Sequence, residues 1–173
     1  GVPKCIVHGA GGTLLQHCKE LGLHVDLKRQ DKLFYYTSTG WMMWNWQVSA
    51  LALGATLVLY DGCPFYPHPT SLLDLVSMQS ISIFGCSAKY IASLEKNAID
   101  VKDKIKLTSL RMILSTGSPL VAESFDYIYK KIKSDLQLCS ISGGTDIISC
   151  FALGNPLSKV FRGELQGPGL GMA

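Results

Sequence analysis

The sequence has 173 residues, of which 47% are hydrophobic and 17% charged, and 16 Lys plus Arg against 13 Asp plus Glu give a net charge of +3. That length suits one domain or part of a larger one, the hydrophobic content excludes intrinsic disorder, and 17 Gly with 7 Pro in no fixed period exclude a collagen-like fibre. The cations are 13 Lys and only 3 Arg (Arg29, Arg111, Arg162) with no basic stripe to track a phosphate backbone, so nucleic acid is not an expected partner.

In chain order, a short apolar run at 5–7 reads as a strand and 13–23 as a helix. Residues 33–60 carry no charged side chain and are long enough to span a bilayer. Gly40, Asn45, Gln47 and Gly54 interrupt that run, so it divides into a strand at 33–37, a helix at 41–53 and a strand at 55–60. A Pro-rich turn occupies 61–69. Beyond it come a helix at 71–78, a strand at 81–84, a helix at 87–96, a strand at 111–114, a helix at 121–133 and strands at 136–141 and 148–151.

The strand-like runs are continuous rather than alternating, which suits strands covered on both faces. A β-α-β-α rhythm predicts an α/β fold: a mostly parallel sheet flanked by helices, in one domain. Ligands then belong at the carboxyl ends of the strands.

Six cysteines form no C-x-x-C pair, which excludes zinc-ribbon and thioredoxin readings and suits reduced thiols in the cytoplasm. His8, His17, His24 and His68 make no H-E-x-x-H or other ligand pair and read as polar loop or helix surface. The charged fraction lies below the roughly 25% of an ordinary soluble domain, so part of the surface is expected to face more protein. The chain opens Gly1-Val2-Pro3-Lys4 without Met and stops inside a glycine-rich run, which reads as an excised piece.

Three predicted strand ends run into turns of small, hydroxyl or acidic residues: Thr37-Ser38-Thr39-Gly40-Trp41, Ser115-Thr116-Gly117-Ser118-Pro119 and Ser142-Gly143-Gly144-Thr145-Asp146. Glycines let backbone amides approach an anion, hydroxyls add hydrogen bonds, and a carboxylate can hold the Mg²⁺ that accompanies a nucleotide. Each turn alone is equally the ordinary chemistry of turns and helix caps. No G-x-G-x-x-G, Walker loop or G-x-S-x-G elbow is present.

The order of these turns resembles the adenylate-forming acyl-CoA synthetase superfamily over essentially the whole chain. The likeness is carried most by Gly1 to Gly9, by Phe34-Tyr35-Tyr36-Thr37 with Gly40-Trp41-Met42-Met43-Trp44-Asn45-Trp46, and by Ser140 to Ile147. It implies part of the large N-terminal domain of such an enzyme, spanning 1–173, with the C-terminal lid domain, hinge and ribose-binding Asp absent and the isolated piece inert. Lys4 resembles the end of the family's phosphate loop. Gly117, Ser118 and Pro119 resemble its Gly-Glu-Pro turn beside adenine, with Ser118 in place of Glu.

Ser140, Ile141, Ser142, Gly143, Gly144 and Thr145 resemble the strand and turn along the adenylate, with Thr145 reaching the α-phosphate. Asp146 stands at the family's acidic Mg²⁺ position, one methylene shorter than the usual Glu. Trp41, Met42 and Met43 resemble the wall of the acyl pocket, and Gly143 with Gly144 replaces bulky residues of acetate-specific relatives. A four-carbon acid, acetoacetate first, is thereby expected. Phe65 resembles a contact on the CoA route, Trp44 and Trp46 read as core packing, and Arg162 to Gly167 reads as a structural motif.

The reaction implied uses ATP, Mg²⁺ and CoA: a carboxylate attacks the α-phosphate, then the thiol displaces AMP. The expected partners are these small molecules and the rest of the parent chain, with no membrane span. Two other readings stay open: a synthetase for another short acid, and a non-catalytic module that retains the fold.

Overall fold

In the computed structural model, which describes residues 1–2 and 4–172, five parallel strands form the main sheet. Pro3, of the opening Gly1-Val2-Pro3-Lys4, and Ala173 lie outside the described residues. The strands are β1 (Lys32–Tyr35), β2 (Thr56–Leu57), β3 (Ile83–Ser87), β4 (Met112–Thr116) and β5 (Gln137–Ser140), in spatial order β2-β1-β3-β4-β5. Helices α2 (Met42–Ser49), α3 (Ser71–Met78), α4 (Ala88–Lys96) and α5 (Ala122–Tyr127) make the crossovers that parallel pairing requires. The charge-free run at 33–60 is therefore β1, α2 and β2, and no helix among the described residues is long and apolar enough to cross a membrane.

Period-two alternation divides the core between the two faces of the sheet. Phe34, Phe84, Ile113 and Leu138 point into a cluster built with α3, α4 and α5. Leu33, Tyr35, Ile83, Met112, Leu114 and Cys139 point the other way, onto α2, Cys150, Leu153 and the turn that ends α1 (Ala10–Lys19). Both faces are covered, which is why the strands read as continuous apolar runs.

Local signals set the helix bounds. Ser87 caps α4, its Oγ accepting from the Tyr90 amide at 3.1 Å. Gly54 ends the α2 stretch at φ 77°, a left-handed conformation that glycine adopts without a Cβ penalty. Two helices tail into π turns, α1 at Glu20–His24 and α5 at Ile128–Ile132.

At the amino edge of the sheet, Arg111 forks onto Asp31 through Nε at 3.2 Å and Nη2 at 2.8 Å, and also donates to the carbonyls of Val25 and Asp26. Ser82 Oγ and the Lys28 amide complete the Asp31 shell at 2.7 and 2.8 Å. Burial pushes the Asp31 carboxyl up, but the hydrogen bonds from Arg111, Ser82 and Lys28 outweigh it and hold the group below its ordinary value.

Two strand expectations change. Residues 5–7 form no strand and are exposed, because neither edge of the main sheet pairs with them. The run at 148–151 enters a second, antiparallel sheet of β6 (Ser142–Gly144), β7 (Ser149–Leu153) and β8 (Gly167–Pro168). There Cys150 and Leu153 face the core while Phe151 faces outward.

Candidate functional site

An order of β2-β1-β3-β4-β5 reverses direction between β1 and β3, and doubly wound sheets bind ligands outside the carboxyl ends at such a point. On this edge Tyr35 pairs with Gly85, Ser87 with Thr116, and Ser115 with Ser140, so hydroxyl groups line neighbouring strand ends. Gly117, Ser118 and Pro119 leave β4 exposed, with Gly117 at φ 89°. From the next strand, Ile141 continues the pairing through its amide to the Ser115 carbonyl at 2.8 Å, and Ser142 to Asp146 follow. The two turns thus leave adjacent strands on one edge, and Thr37 to Gly40 leaves β1 on that edge.

Thr145 and Asp146 head the turn at 145–148 between β6 and β7, both exposed. His8 Nε2 meets the Thr145 carbonyl at 2.9 Å, which brings the amino-terminal segment carrying Lys4 beside this turn. His17 Nε2 meets the Ile148 carbonyl at 2.7 Å, and its Nδ1 meets Ser49 Oγ at 2.9 Å. Burial pulls the His17 pKa below its ordinary value, against the opposing pull of the Ile148 carbonyl and Glu20. A cavity of about 350 Å³ opens beside the turn, with His8, Thr13, Trp44, Asn45, Ser49 and Ile148 in its lining.

The glycines of β6 differ in surroundings. A Cβ on Gly143 would stand 2.4 Å from the Ser149 carbonyl oxygen and 2.8 Å from Cys150 Cα, whereas a Cβ on Gly144 meets nothing within 4 Å. A larger residue at 143 therefore displaces β7, and the position with room for one is 144.

Of the three residues at the start of α2, Trp41 is 68% exposed, while Met42 and Met43 are each 7% exposed and pack in the core with Trp46. Phe65 lies on the opposite face of the sheet, stacked on Tyr90 with ring centroids 5.5 Å apart. Asp146 makes no salt bridge among the described residues, and no group of three His, Cys, Asp or Glu able to hold a metal occurs among them. A lone exposed carboxylate fits Mg²⁺, which binds through one or two carboxylates plus phosphate oxygens and water.

The histidines correct the sequence reading. His17 and His24 are buried rather than surface groups, His24 Nδ1 donating to the Gly154 carbonyl at 2.8 Å while its Nε2 accepts from the Leu170 amide at 2.9 Å. Glu20, also passed over, is fully buried and accepts four hydrogen bonds. The available signal was spacing: 17, 20, 21 and 24 share one helical face with the buried Leu21.

Residues 1–160 match the model of a family described as AMP-binding enzyme. The acetoacetyl-coenzyme A synthetase of Rhizobium meliloti (strain 1021) is 58% identical over 173 residues, which is 100% of this chain and 27% of that protein. The acetoacetyl-CoA synthetase of Mus musculus is 55% identical over the same 173 residues, 26% of its length. A solved structure of acetoacetyl-CoA synthetase from Streptomyces lividans matches with a TM-score of 0.93 at 43% identity, covering 99% of this chain and 27% of that one. The chain thus spans about a quarter of the length of the relatives it matches.

Proposed function

The chain belongs to the AMP-binding enzyme family, and from that premise we propose that it is part of the adenylation domain of an ATP-dependent acid–thiol ligase. The enzyme activates acetoacetate as an acyl-adenylate and passes the acyl group to CoA, giving acetoacetyl-CoA, AMP and pyrophosphate. The observation that carries this reading is the match of all 173 residues to an acetoacetyl-CoA synthetase at 58% identity.

In the first step a carboxylate oxygen attacks the α-phosphorus of ATP and the bond to pyrophosphate breaks. In the second the CoA sulfur attacks the acyl carbon and AMP leaves. The acid is already an anion, so the first step needs no general base, and the protein contributes positioning and charge stabilisation.

Lys4 supplies a cation on the phosphate side, and Gly117, Ser118 and Pro119 flank the base. Ser140 to Gly144 run along the nucleotide, with Thr145 donating its hydroxyl to an α-phosphate oxygen. Asp146 holds Mg²⁺, and its carboxylate, exposed and without a salt bridge among the described residues, supports that role. Bound there, Mg²⁺ neutralises phosphate charge as attack develops. Trp41 keeps an exposed face for the acid, with Met42 and Met43 packed behind it, and Phe65, on the other face of the sheet, is the proposed contact on the CoA route. The segment works with the rest of its parent chain, in the cytosol, a location supported by six unpaired cysteines.

The test is pyrophosphate release by the full-length protein with Mg·ATP and CoA, comparing acetoacetate, acetate and butyrate. Selective release with acetoacetate is the expected result. Preference for another acid discards the substrate and keeps adenylation, and no release with any acid discards the ligase reading.

A further inference from the structure

We propose that Glu20 is a positioning residue that fixes the Thr145–Asp146 turn against the amino-terminal segment, an inference that rests on the reading of that turn as the nucleotide-facing one. Glu20 ends α1 at the point where the helix passes into a π turn, a distortion enriched at functional sites. Its Oε1 accepts from Ser149 Oγ at 2.6 Å, the Cys150 amide at 3.0 Å and Gln16 Nε2 at 3.0 Å, and its Oε2 accepts from Trp46 Nε1 at 2.9 Å. Gln16 Nε2 also donates to Ser149 Oγ.

Ser149 and Cys150 open β7, directly after the turn at 145–148. The stretch from His8 to Glu20 therefore grips the turn at three successive points: the Thr145 carbonyl through His8, the Ile148 carbonyl through His17, and the Ser149–Cys150 start of β7 through Glu20. Trp46 ties the same carboxylate to α2, whose first turn carries Met42 and Met43. A buried carboxylate is costly unless its lone pairs are met, and four donors meet these. An apolar residue could fill the space, but Cys150 N–H meets Oε1 and Trp46 Nε1–H meets Oε2, so both ends of the side chain must accept for the two donors to be held as they stand. Glutamine has one accepting oxygen, so its amide N–H faces one of those donors.

The test uses full-length protein carrying Glu20→Gln, Glu20→Asp or Ser149→Ala, the last removing one of the four bonds to the carboxylate, together with the Gln16 contact to Ser149, should the Glu20 variants fail to fold. The first measurement is hydrogen exchange of peptides covering residues 145–150, which needs no activity. Faster exchange confined to those residues is expected, and unchanged exchange there in a folded variant overturns the proposal.

The second measurement is ATP–pyrophosphate exchange against Mg²⁺ concentration. Glu20 acts by placing the turn rather than by touching Asp146, and misplacing a reacting group by about 1 Å costs up to about 100-fold; a drop approaching that size with a raised half-saturating Mg²⁺ is expected for Glu20→Gln, with partial recovery in Glu20→Asp. Thioester formation from preformed acyl-adenylate stays within about twofold of wild type, because that half-reaction no longer needs the phosphate clamp. Equal losses in both half-reactions mark a merely structural role and overturn the proposal. If wild-type protein exchanges pyrophosphate with no acid, the ligase reading fails and hydrogen exchange alone decides the role of Glu20.

Discussion

The ring of Tyr35 occupies the space that a side chain on Gly85 would take: a Cβ there would stand 2.1 Å from Tyr35 Cδ2. Lying across β3 in this way, Tyr35 carries its hydroxyl to Thr116 Oγ1 on β4, 2.7 Å away. One aromatic side chain thus links three neighbouring strands at the edge where the candidate site opens, and burial holds its hydroxyl well above the usual tyrosine pKa, against the opposing hydrogen bond from Thr116.

Gly85→Ala should therefore overpack the sheet and cost about 1–3 kcal/mol. Melting of the full-length protein reads this loss directly. Tyr35→Leu in the same chain should recover part of it by vacating the space. Additive losses in the double variant would show that the two positions do not compete.

Gly143 and Gly144 should respond oppositely to enlargement. Gly143→Ala drives a Cβ into the β7 backbone and is expected to cost about 1–3 kcal/mol. Gly144→Ala meets open space and should stay within about 0.5 kcal/mol of wild type. Gly144→Trp is the variant that should move acid preference towards acetate, read as the ratio of kcat/KM values for acetate and acetoacetate.

The Asp31–Arg111 pair makes a prediction in pH. Its hydrogen bonds hold the Asp31 carboxyl below its ordinary value, so its contribution to stability is complete above the unfolded value and disappears as pH falls through the lowered folded one. Asp31→Asn should cost about 3 kcal/mol at neutral pH, the low end for breaking a buried pair because the Arg111 side chain remains partly exposed. The gap from wild type should hold constant between about pH 7 and 5 and narrow below about pH 4. Denaturant midpoints across that range are the measurement, and a gap that closes near neutrality contradicts the assignment.

Asp146→Asn should leave melting unchanged, since the carboxylate is exposed and makes no salt bridge among the described residues. It should slow pyrophosphate release about 100-fold, the size typical of losing one electrostatic contact to a developing charge. Asp146→Glu should retain activity. A melting shift comparable to the loss of rate would instead make Asp146 a structural residue.

The alternation of strand and helix was legible in the chain itself, because its causes are local. Gly40 and Gly54 divide the charge-free run, apolar residues recur with the period of each element, and Ser87 stands where a helix cap is needed. The turns at 117–119 and 142–146 were legible for the same reason, as small and hydroxyl residues placed after apolar runs. A strand, however, exists only with a partner. The runs at 5–7 and 148–151 look alike in sequence, yet one pairs with nothing in the main sheet and the other turns into an antiparallel ribbon.

The buried polar groups were hidden more deeply. Glu20 meets Ser149 across 129 positions and His17 meets the Ile148 carbonyl across 131, distances at which no local period operates. Burial of a charge depends on donors that the fold delivers from elsewhere, just as the direction of a Cβ on Gly143 or Gly144 depends on where β7 lies. Local chemistry therefore determined the elements and the turns that form the candidate site. Tertiary packing decided which side chains hold those turns in place, because only the closed fold brings the donors to the carboxylate.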